Sequence, residues 1–103
     1  MIIYNVTISL DSDVEKAWKA WMLAKHIPDV MATGFFESFE LLHLLDPLVD
    51  PASVTYCVQY RCLTLLQFET YRDEFATALR QEHEDRYKGR FIAFRTILET
   101  MDG

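Results

Sequence analysis

The sequence has little glycine and little cysteine, and each scarcity argues against a class of site. Only 3 glycines occur among 103 residues, so a glycine-rich loop that cradles phosphate groups is not expected. The 2 cysteines, Cys57 and Cys62, lie in one predicted strand. Their odd separation places them on opposite faces of that strand, so we expect no disulfide between them. Reduced cysteines favour a cytoplasmic location.

The residue spacings typical of metal sites are also missing. The sequence contains no Cys-x-x-Cys, no His-x-x-x-His and no His-Glu-x-x-His, so we expect neither a metal site nor a cofactor. A nucleophilic Cys57 would need a nearby base and a positive environment. Arg61 lies four residues further along the same strand face, which is too far for that role. No catalytic residue is therefore assigned, and enzymatic activity is not the favoured interpretation.

Basic residues are few and scattered. Lys and Arg number 10 against 16 Asp and Glu, which gives a net charge of −6. Nucleic-acid binders usually carry a basic face that neutralises phosphates, so this class is disfavoured, as is binding to anionic membranes. No apolar run approaches the roughly 20 residues of a spanning helix, and the start of the chain predicts no signal peptide.

Apolar and aromatic residues are abundant, at 50% and 14% of the chain. They predict one folded domain over residues 1–103 with a real core. Residues 2–10, apart from Ile3, and Ser53–Cys62 alternate between apolar and polar positions, which is the period of a β-strand. Two further strands are predicted over residues 35–45 and 90–98.

Two helical regions separate these strands. The first begins at Asp11, Ser12 and Asp13, whose side chains are expected to cap it, and breaks or restarts at Pro28 before ending at Gly34. The second begins at a capping box formed by Thr64 and Gln67 and ends at Gly89. Its predicted inner face consists of the following residues: Phe68, Tyr71, Phe75, Ala78, Leu79 and Glu82.

The order of elements is therefore βαββαβ. This order predicts an α+β, ferredoxin-like fold, in which a four-stranded antiparallel sheet carries both helices on one face. The first and third strands are then central neighbours. The other face of the sheet is predicted to be open.

The open face is predicted to have a polar centre and apolar flanks. The central strands contribute Asn5, Thr7, Ser9, Thr55, Cys57, Gln59 and Arg61. We expect the flanks to be Phe91, Ala93, Arg95 and Ile97 from the last strand and Phe35, Phe39 and Leu41 from the second. A solvated surface, a self-association surface and a ligand pocket all fit this pattern, and self-association is favoured because exposed apolar flanks would otherwise form a patch.

The histidines and one arginine are the remaining polar residues of interest. We expect His26 to bond a free helix carbonyl, His43 to lie at a surface or interface, and His83 to be protonated near a helix C-terminus. Arg95 lies among apolar residues and needs a partner, for which Glu37, a second chain or a bound carboxylate are open alternatives. The predicted binding residues are Asn5, Gln59, Arg61, Arg95 and His26.

Residues 26–36 (HIPDVMATGFF) and 94–99 (FRTILE), with the opening MIIYN, resemble a family of small bacterial proteins known only as a domain of unknown function. The resemblance covers essentially the whole chain and implies a ferredoxin-like protein of the dimeric α/β-barrel type. At the fold level the chain is similar to a superfamily that includes cofactor-independent monooxygenases and haem-degrading enzymes. Only Asn5 matches the Asn, Trp and His set of the haem degraders.

These observations favour a cytoplasmic homodimer that binds a small molecule or another protein without catalysis. The alternative is a small cofactor-independent enzyme of the monooxygenase or isomerase type with its site in the barrel cavity. A purely structural dimer is a third possibility.

Overall fold

The computed structural model describes residues 1–48 and 50–101. The strands are β1 (Ile2–Asp11), β2 (Ser38–His43), β3 (Ser53–Cys62) and β4 (Phe91–Glu99). The α-helices are α1 (Glu15–Trp21), α2 (Ile27–Ala32), α3 (Leu65–Tyr71) and α4 (Thr77–Tyr87). The sheet order is β2-β3-β1-β4, and every neighbouring pair is antiparallel. This is the predicted ferredoxin-like fold.

The central strands pair as the alternation predicts. Tyr4 lies opposite Tyr60, and Val6 lies opposite Val58. These residues are buried in the single hydrophobic cluster that joins the sheet to the helices. We call this side of the sheet the covered face. Cys57 and Cys62 lie on opposite faces and are both free.

The predicted face of β4 is wrong. Arg95 lies opposite Val6, and Ala93 lies opposite Ile8, so both are on the covered face. Thr96 lies opposite Asn5 on the open face. Both sides of β4 carry apolar residues, so the alternation of the sequence could not distinguish them. The helices cover only some of the β4 residues on the covered face, and Arg95 stays exposed.

The second strand also differs from its prediction. It is confined to Ser38–His43, and Phe39 and Leu41 lie opposite Tyr60 and Val58 on the covered face. Phe35 precedes the strand and packs against Phe75, with ring centroids 5.8 Å apart. The open face therefore consists of the following residues: Ile3, Asn5, Thr7, Ser9, Ser38, Glu40, Leu42, Thr55, Cys57, Gln59, Arg61, Ile92, Phe94, Thr96 and Leu98.

The first helical region runs through residues 12–32 without leaving helical geometry. A π-helical turn at Met22–His26 joins α1 to α2, and Pro28 lies in the first turn of α2. The predicted break at Pro28 is therefore wrong, because Ile27, the residue before the proline, keeps helical dihedral angles (φ −62°, ψ −45°) and the π-helical turn continues directly into α2. The predicted side-chain capping is wrong: Asp11 ends β1, and its carboxylate accepts a hydrogen bond from Arg90 at 2.7 Å.

The second helical region begins at the predicted capping box. The Thr64 hydroxyl accepts from the Gln67 N–H at 3.2 Å, and the Gln67 side chain accepts from the Thr64 N–H at 3.1 Å. A π-helical turn at Arg72–Ala76 then joins α3 to α4. Such a turn inserts a residue into the helix, so the inward face is rotated beyond it.

This rotation corrects the predicted inner face. Phe68 and Tyr71, which precede the turn, are buried as predicted. Within the turn, Phe75 is exposed and Ala76 is buried; beyond it, Ala78 is exposed and His83 is buried.

Candidate functional site

A small cavity lies between the covered face of the sheet and the helices. Its volume is about 30 Å³, which is room for about two water molecules. Tyr4, Tyr60 and Val58 contribute to it from the two central strands. The helices contribute the polar side chains of His26, Arg80 and His83. Ligand pockets are usually apolar, with a few convergent polar groups, and have volumes of about 300–1,000 Å³, so this cavity can hold only part of a ligand.

Both π-helical turns help to place the polar residues. His26 is the last residue of the first turn, and the second turn ends about one helical turn before Arg80 and about two before His83. Without the inserted residue, the predicted inner face would have turned Arg80 towards solvent. π-Helical turns occur frequently at functional sites, because they aim side chains that a regular helix would direct elsewhere.

His83 is a buried, neutral histidine. It is 5% exposed, and its Nε2 accepts a hydrogen bond from the Trp18 indole N–H at 2.9 Å. An indole only donates, so Nε2 is unprotonated and the ring proton lies on Nδ1. Burial, together with His26 and the positive charge of Arg95, lowers the pKa of His83 to about 4. The predicted protonated state is therefore wrong, because burial outweighs the helix dipole.

His26 lies beside His83. Their ring centroids are 5.7 Å apart in an edge-on arrangement, and Trp21 contacts His26 at 5.3 Å. Within residues 1–48 and 50–101, Nδ1 of His26 is buried and has no hydrogen-bond partner. That atom thus lacks the predicted helix carbonyl. Burial lowers the pKa of His26, while the carboxylates of Glu82 and Asp29 act in the opposite direction.

Arg80 and Arg95 supply positive charge to the cavity. Arg80 donates from Nη2 to the Tyr4 hydroxyl at 3.4 Å, while its Nε is buried and unpaired among the described residues. Arg95 reaches the same cavity from β4. Neither guanidinium forms an ion pair in the part of the chain that the structure describes, so the suggested Glu37 partner for Arg95 is not used.

Three tyrosines form the aromatic side of the cavity. Tyr4 lies 5.8 Å from both Tyr60 and Tyr71, measured between ring centroids. Burial raises the pKa of Tyr60 and of Tyr71. Their hydroxyl groups therefore stay protonated at neutral pH and can donate hydrogen bonds.

An open cleft adjoins the cavity between β4 and α4. Its volume is about 500 Å³, and it shares Arg80, Ala93 and Arg95 with the cavity. Phe91 and Glu84 also line it, from β4 and α4 respectively. The two arginines therefore stand at the boundary between the cleft and the cavity.

The open face carries the other predicted binding residues. Asn5 donates to Thr7 at 3.0 Å and to Thr96 at 3.2 Å, and it accepts from Gln59 at 3.3 Å. Arg61 lies 3.6 Å from the Glu40 carboxylate. The NH₂ and the carbonyl of the Asn5 side chain are thus both hydrogen-bonded to neighbours within the sheet.

The five predicted residues therefore divide between two places. Asn5, Gln59 and Arg61 lie on the open face, whereas His26 and Arg95 meet at the cavity. Sequence reasoning missed Arg80 and His83 as partners of these two, and also missed the cavity itself. Their position depends on the second π-helical turn, which leaves no periodic signal in the sequence.

The β4 flank of the open face is apolar. Ile92 is 77% exposed and Phe94 is 59% exposed, and both lie on the edge strand β4. Leu98 on the same strand and Leu42 on β2 are also exposed. The central strands are polar on this face as predicted, but the predicted flank residues are wrong: the apolar flank comes mainly from β4, whereas β2 contributes Ser38 and Glu40 beside Leu42.

The described residues contain neither a metal-binding cluster nor a membrane-spanning helix. Across residues 1–48 and 50–101, no group of three or more His, Cys, Asp or Glu side chains could hold a metal ion. None of the helices in these ranges combines the length and apolar character that a membrane crossing needs.

Solved structures with this fold share little sequence with the chain. HapK from Hahella chejuensis has a TM-score of 0.70 at 10% identity, covering 100% of this chain and 95% of that chain. A candidate antibiotic biosynthesis monooxygenase from Nitrosomonas europaea has a TM-score of 0.66 at 14% identity, with 99% and 100% covered. A dimeric ferredoxin-like protein from an uncultured marine organism has a TM-score of 0.65 at 7% identity, with 100% and 97% covered. At these identities the likeness shows the fold alone.

Sequence comparison gives the family but no activity. No curated protein matches significantly. The profile of a family described as a domain of unknown function, DUF4286, matches residues 1–101. The resemblance carried by residues 26–36 and 94–99 is thereby confirmed, and the chain belongs to the DUF4286 family.

Proposed function

We propose that this protein is a single-domain homodimer that binds a small molecule in the cleft between β4 and α4, with a polar group of the ligand reaching the cavity between the sheet and the helices. The observation that carries the proposal is the pair of unpaired polar atoms at that cavity, Nδ1 of His26 and Nε of Arg80. Buried polar groups are nearly always hydrogen-bonded, because an unpaired one costs free energy. A bound ligand would supply the missing partners.

The ligand site is assigned to the cavity rather than to the open face because the cavity has polar groups that can still form hydrogen bonds. On the open face, the Asn5 amide and the Gln59 NH₂ already pair within the sheet. At the cavity, His26, Arg80 and the protonated tyrosine hydroxyls have bonding capacity to offer. His26 and Arg95 thus keep their predicted binding role at a new location.

The open face is proposed as the dimer interface. Ile92 and Phe94 leave a large exposed apolar surface on β4, and such surfaces usually mark interaction sites. Two sheets packed face to face would cover these flanks, and Asn5, Gln59 and Arg61 would then line the interface. A dimeric ferredoxin-like protein among the structural neighbours is consistent with this arrangement.

A second candidate function is a cofactor-independent enzyme of the monooxygenase or isomerase type. The observation that favours it is the pair of neighbouring imidazoles, His26 and His83, beside an apolar cavity. The acceptor nitrogen of His83 is already bonded to Trp18, so His26 is the imidazole of this pair that can accept a proton from a bound substrate. A candidate monooxygenase among the neighbours makes this chemistry worth testing.

The free cysteines and the net charge bear on the proposed location and partners of the protein. Free cysteines are typical of a reducing compartment, which supports a bacterial cytoplasmic protein. A net charge of −6 argues against nucleic acid as a partner.

A fragment screen tests the ligand site. Saturation-transfer NMR with a library of small aromatic and carboxylic compounds should give binders for the wild type. Ala93→Leu fills the boundary that the cleft and cavity share and should abolish their binding. Ala20→Leu adds the same atoms at an exposed position on α1 and should leave it intact. Binders that survive Ala93→Leu unchanged would argue against the cavity.

Sedimentation velocity tests the dimer. At micromolar concentration the wild type should sediment at twice the chain mass of 12.1 kDa. Phe94→Asp puts a charge in the apolar flank and should give a monomer. Leu66→Asp, at a 72% exposed position on α3, is the matched control and should remain dimeric. A monomeric wild type would contradict the proposed interface.

A further inference from the structure

We infer that the ligand carries an anionic group, a carboxylate or a phosphate monoester, which Arg80 and Arg95 bind together at the boundary between cleft and cavity. The inference rests on the proposed small-molecule function and specifies the chemical class of the ligand. It depends on the charges around the site, the donors that lack acceptors, and the sizes of the two spaces.

The charge of the site differs in sign from the net charge of the chain. The chain has a net charge of −6, yet two guanidinium groups line one small space with no ion pair to either among the described residues. Glu82 lies 3.7 Å from Lys25 and does not line the cavity. Glu84 lines the cleft but forms no ion pair with either arginine among the described residues. Two arginines that share a space and have no carboxylate partner can bind an anion.

The two arginine side chains offer hydrogen-bond donors to a ligand. Arg80 is partly fixed because its Nη2 donates to the Tyr4 hydroxyl, while its buried Nε lacks an acceptor within the described chain. Arg95 is held on β4, opposite Val6, so it approaches from the sheet side. A carboxylate or phosphate offers several acceptor oxygens and can accept from both arginines at once.

The histidines complete the receptor without adding charge. His83 donates only through Nδ1, since Nε2 is occupied by Trp18. Nδ1 of His26 is buried and unpaired within the described residues. These groups can bond a second polar atom of the ligand, so the positive charge of the site comes from the arginines.

The sizes of the two spaces decide how the ligand lies. The cavity of about 30 Å³ admits only a small group, whereas the cleft of about 500 Å³ can hold a ring. The arginines stand where the spaces meet. The anionic group therefore lies at that boundary, and an apolar body rests in the cleft against Phe91 and Ala93.

Matched probes test the inference by titration in ¹H–¹⁵N spectra at constant ionic strength. Benzoate and phenyl phosphate carry the two anionic groups, and benzamide is the neutral counterpart of benzoate. At least one anion should bind saturably and at least tenfold more tightly than benzamide. The stronger of the two anions identifies the class of ligand.

Variants locate the binding. Arg95→Gln, at an exposed position on β4, should weaken the anion at least tenfold, and Arg80→Gln should do the same. Arg72→Gln, an exposed residue paired with Asp73, is the matched control and should leave affinity unchanged. Because Arg95 is exposed, its variant remains informative even if Arg80→Gln fails to fold.

The contradictory outcomes separate the inference from the proposed function. Benzamide binding as tightly as the anions at the same residues would overturn the inference and leave the cavity as a ligand site. Unchanged anion affinity in Arg95→Gln would also overturn it. Absence of binding by all three probes would overturn it too, while the library screen with Ala93→Leu tests the proposed function independently.

Discussion

The buried histidine of α4 makes the stability of the protein depend on pH. In the folded state the pKa of His83 is lowered from 6.5 to about 4 by burial, by His26 and by Arg95. Between these values the unfolded chain binds a proton that the folded chain does not. Acidification in this range therefore favours unfolding, and stability rises with pH until the histidine is neutral in both states.

The size of this pH effect follows from the difference between the pKa of His83 in the folded and in the unfolded chain. Each unit of pKa difference corresponds to 1.36 kcal/mol, so lowering the pH from 6.5 to 4 should remove about 3 kcal/mol through His83. Domains of this size are stable by roughly 5–15 kcal/mol. The loss is thus large enough to measure. The lowered pKa of His26 acts in the same direction, so the contribution of His83 must be obtained by difference.

Urea unfolding of wild type and His83→Gln across this pH range isolates that contribution. Glutamine can still accept from the Trp18 indole but does not titrate, so the stability difference between the two proteins should shrink by about 3 kcal/mol on acidification. His43→Gln, at an exposed position, is the control and should keep the wild-type loss. Titration of the His83 ring at or above pH 6.5 in NMR spectra would refute the reasoning.

Three further substitutions test the structure by urea unfolding. Trp18→Phe removes the donor to His83 and should cost at least about 1–3 kcal/mol through the unpaired Nε2; an unchanged unfolding midpoint would argue against that bond. Thr64→Ala removes half of the capping box and should cost about 1 kcal/mol, whereas Thr64→Ser should retain most of the stability. Gly34→Ala should cost about 1–2 kcal/mol, because the φ of +84° is strained for alanine while no atom lies within 4 Å of the added Cβ. A stabilised Gly34→Ala would exclude the left-handed geometry.

The strands that could be predicted are those with one apolar and one polar side. Residues 2–10 and Ser53–Cys62 alternate because one face is buried under helices and the other carries polar groups, so both strands and their pairing followed. The same reasoning failed on β4, where Ile92 and Phe94 are apolar although they lie on the open face. An interface with a second chain would explain why this outward side is apolar.

The candidate site could be predicted only in part. Arg95 is predicted because it is a charged residue among apolar neighbours, and His26 because it lies at the proline between two helical segments; both line the cavity. Arg80 and His83 were missed because the π-helical turn at Arg72–Ala76 rotates α4 relative to a regular helix. Regular periodicity predicts Arg80 on the solvent side, and only the inserted residue turns it inward.

A ligand bound between the helices and the sheet contacts different side chains from one bound on the open face. Side-chain nitrogen resonances, followed while benzoate is added to ¹⁵N-labelled protein, distinguish the two sites. We expect saturable shifts at Nε of Arg80 and Nδ1 of His26, with the amide groups of Asn5 and Gln59 unchanged. Shifts at Asn5 and Gln59 without any at Arg80 and His26 would contradict binding under the helices.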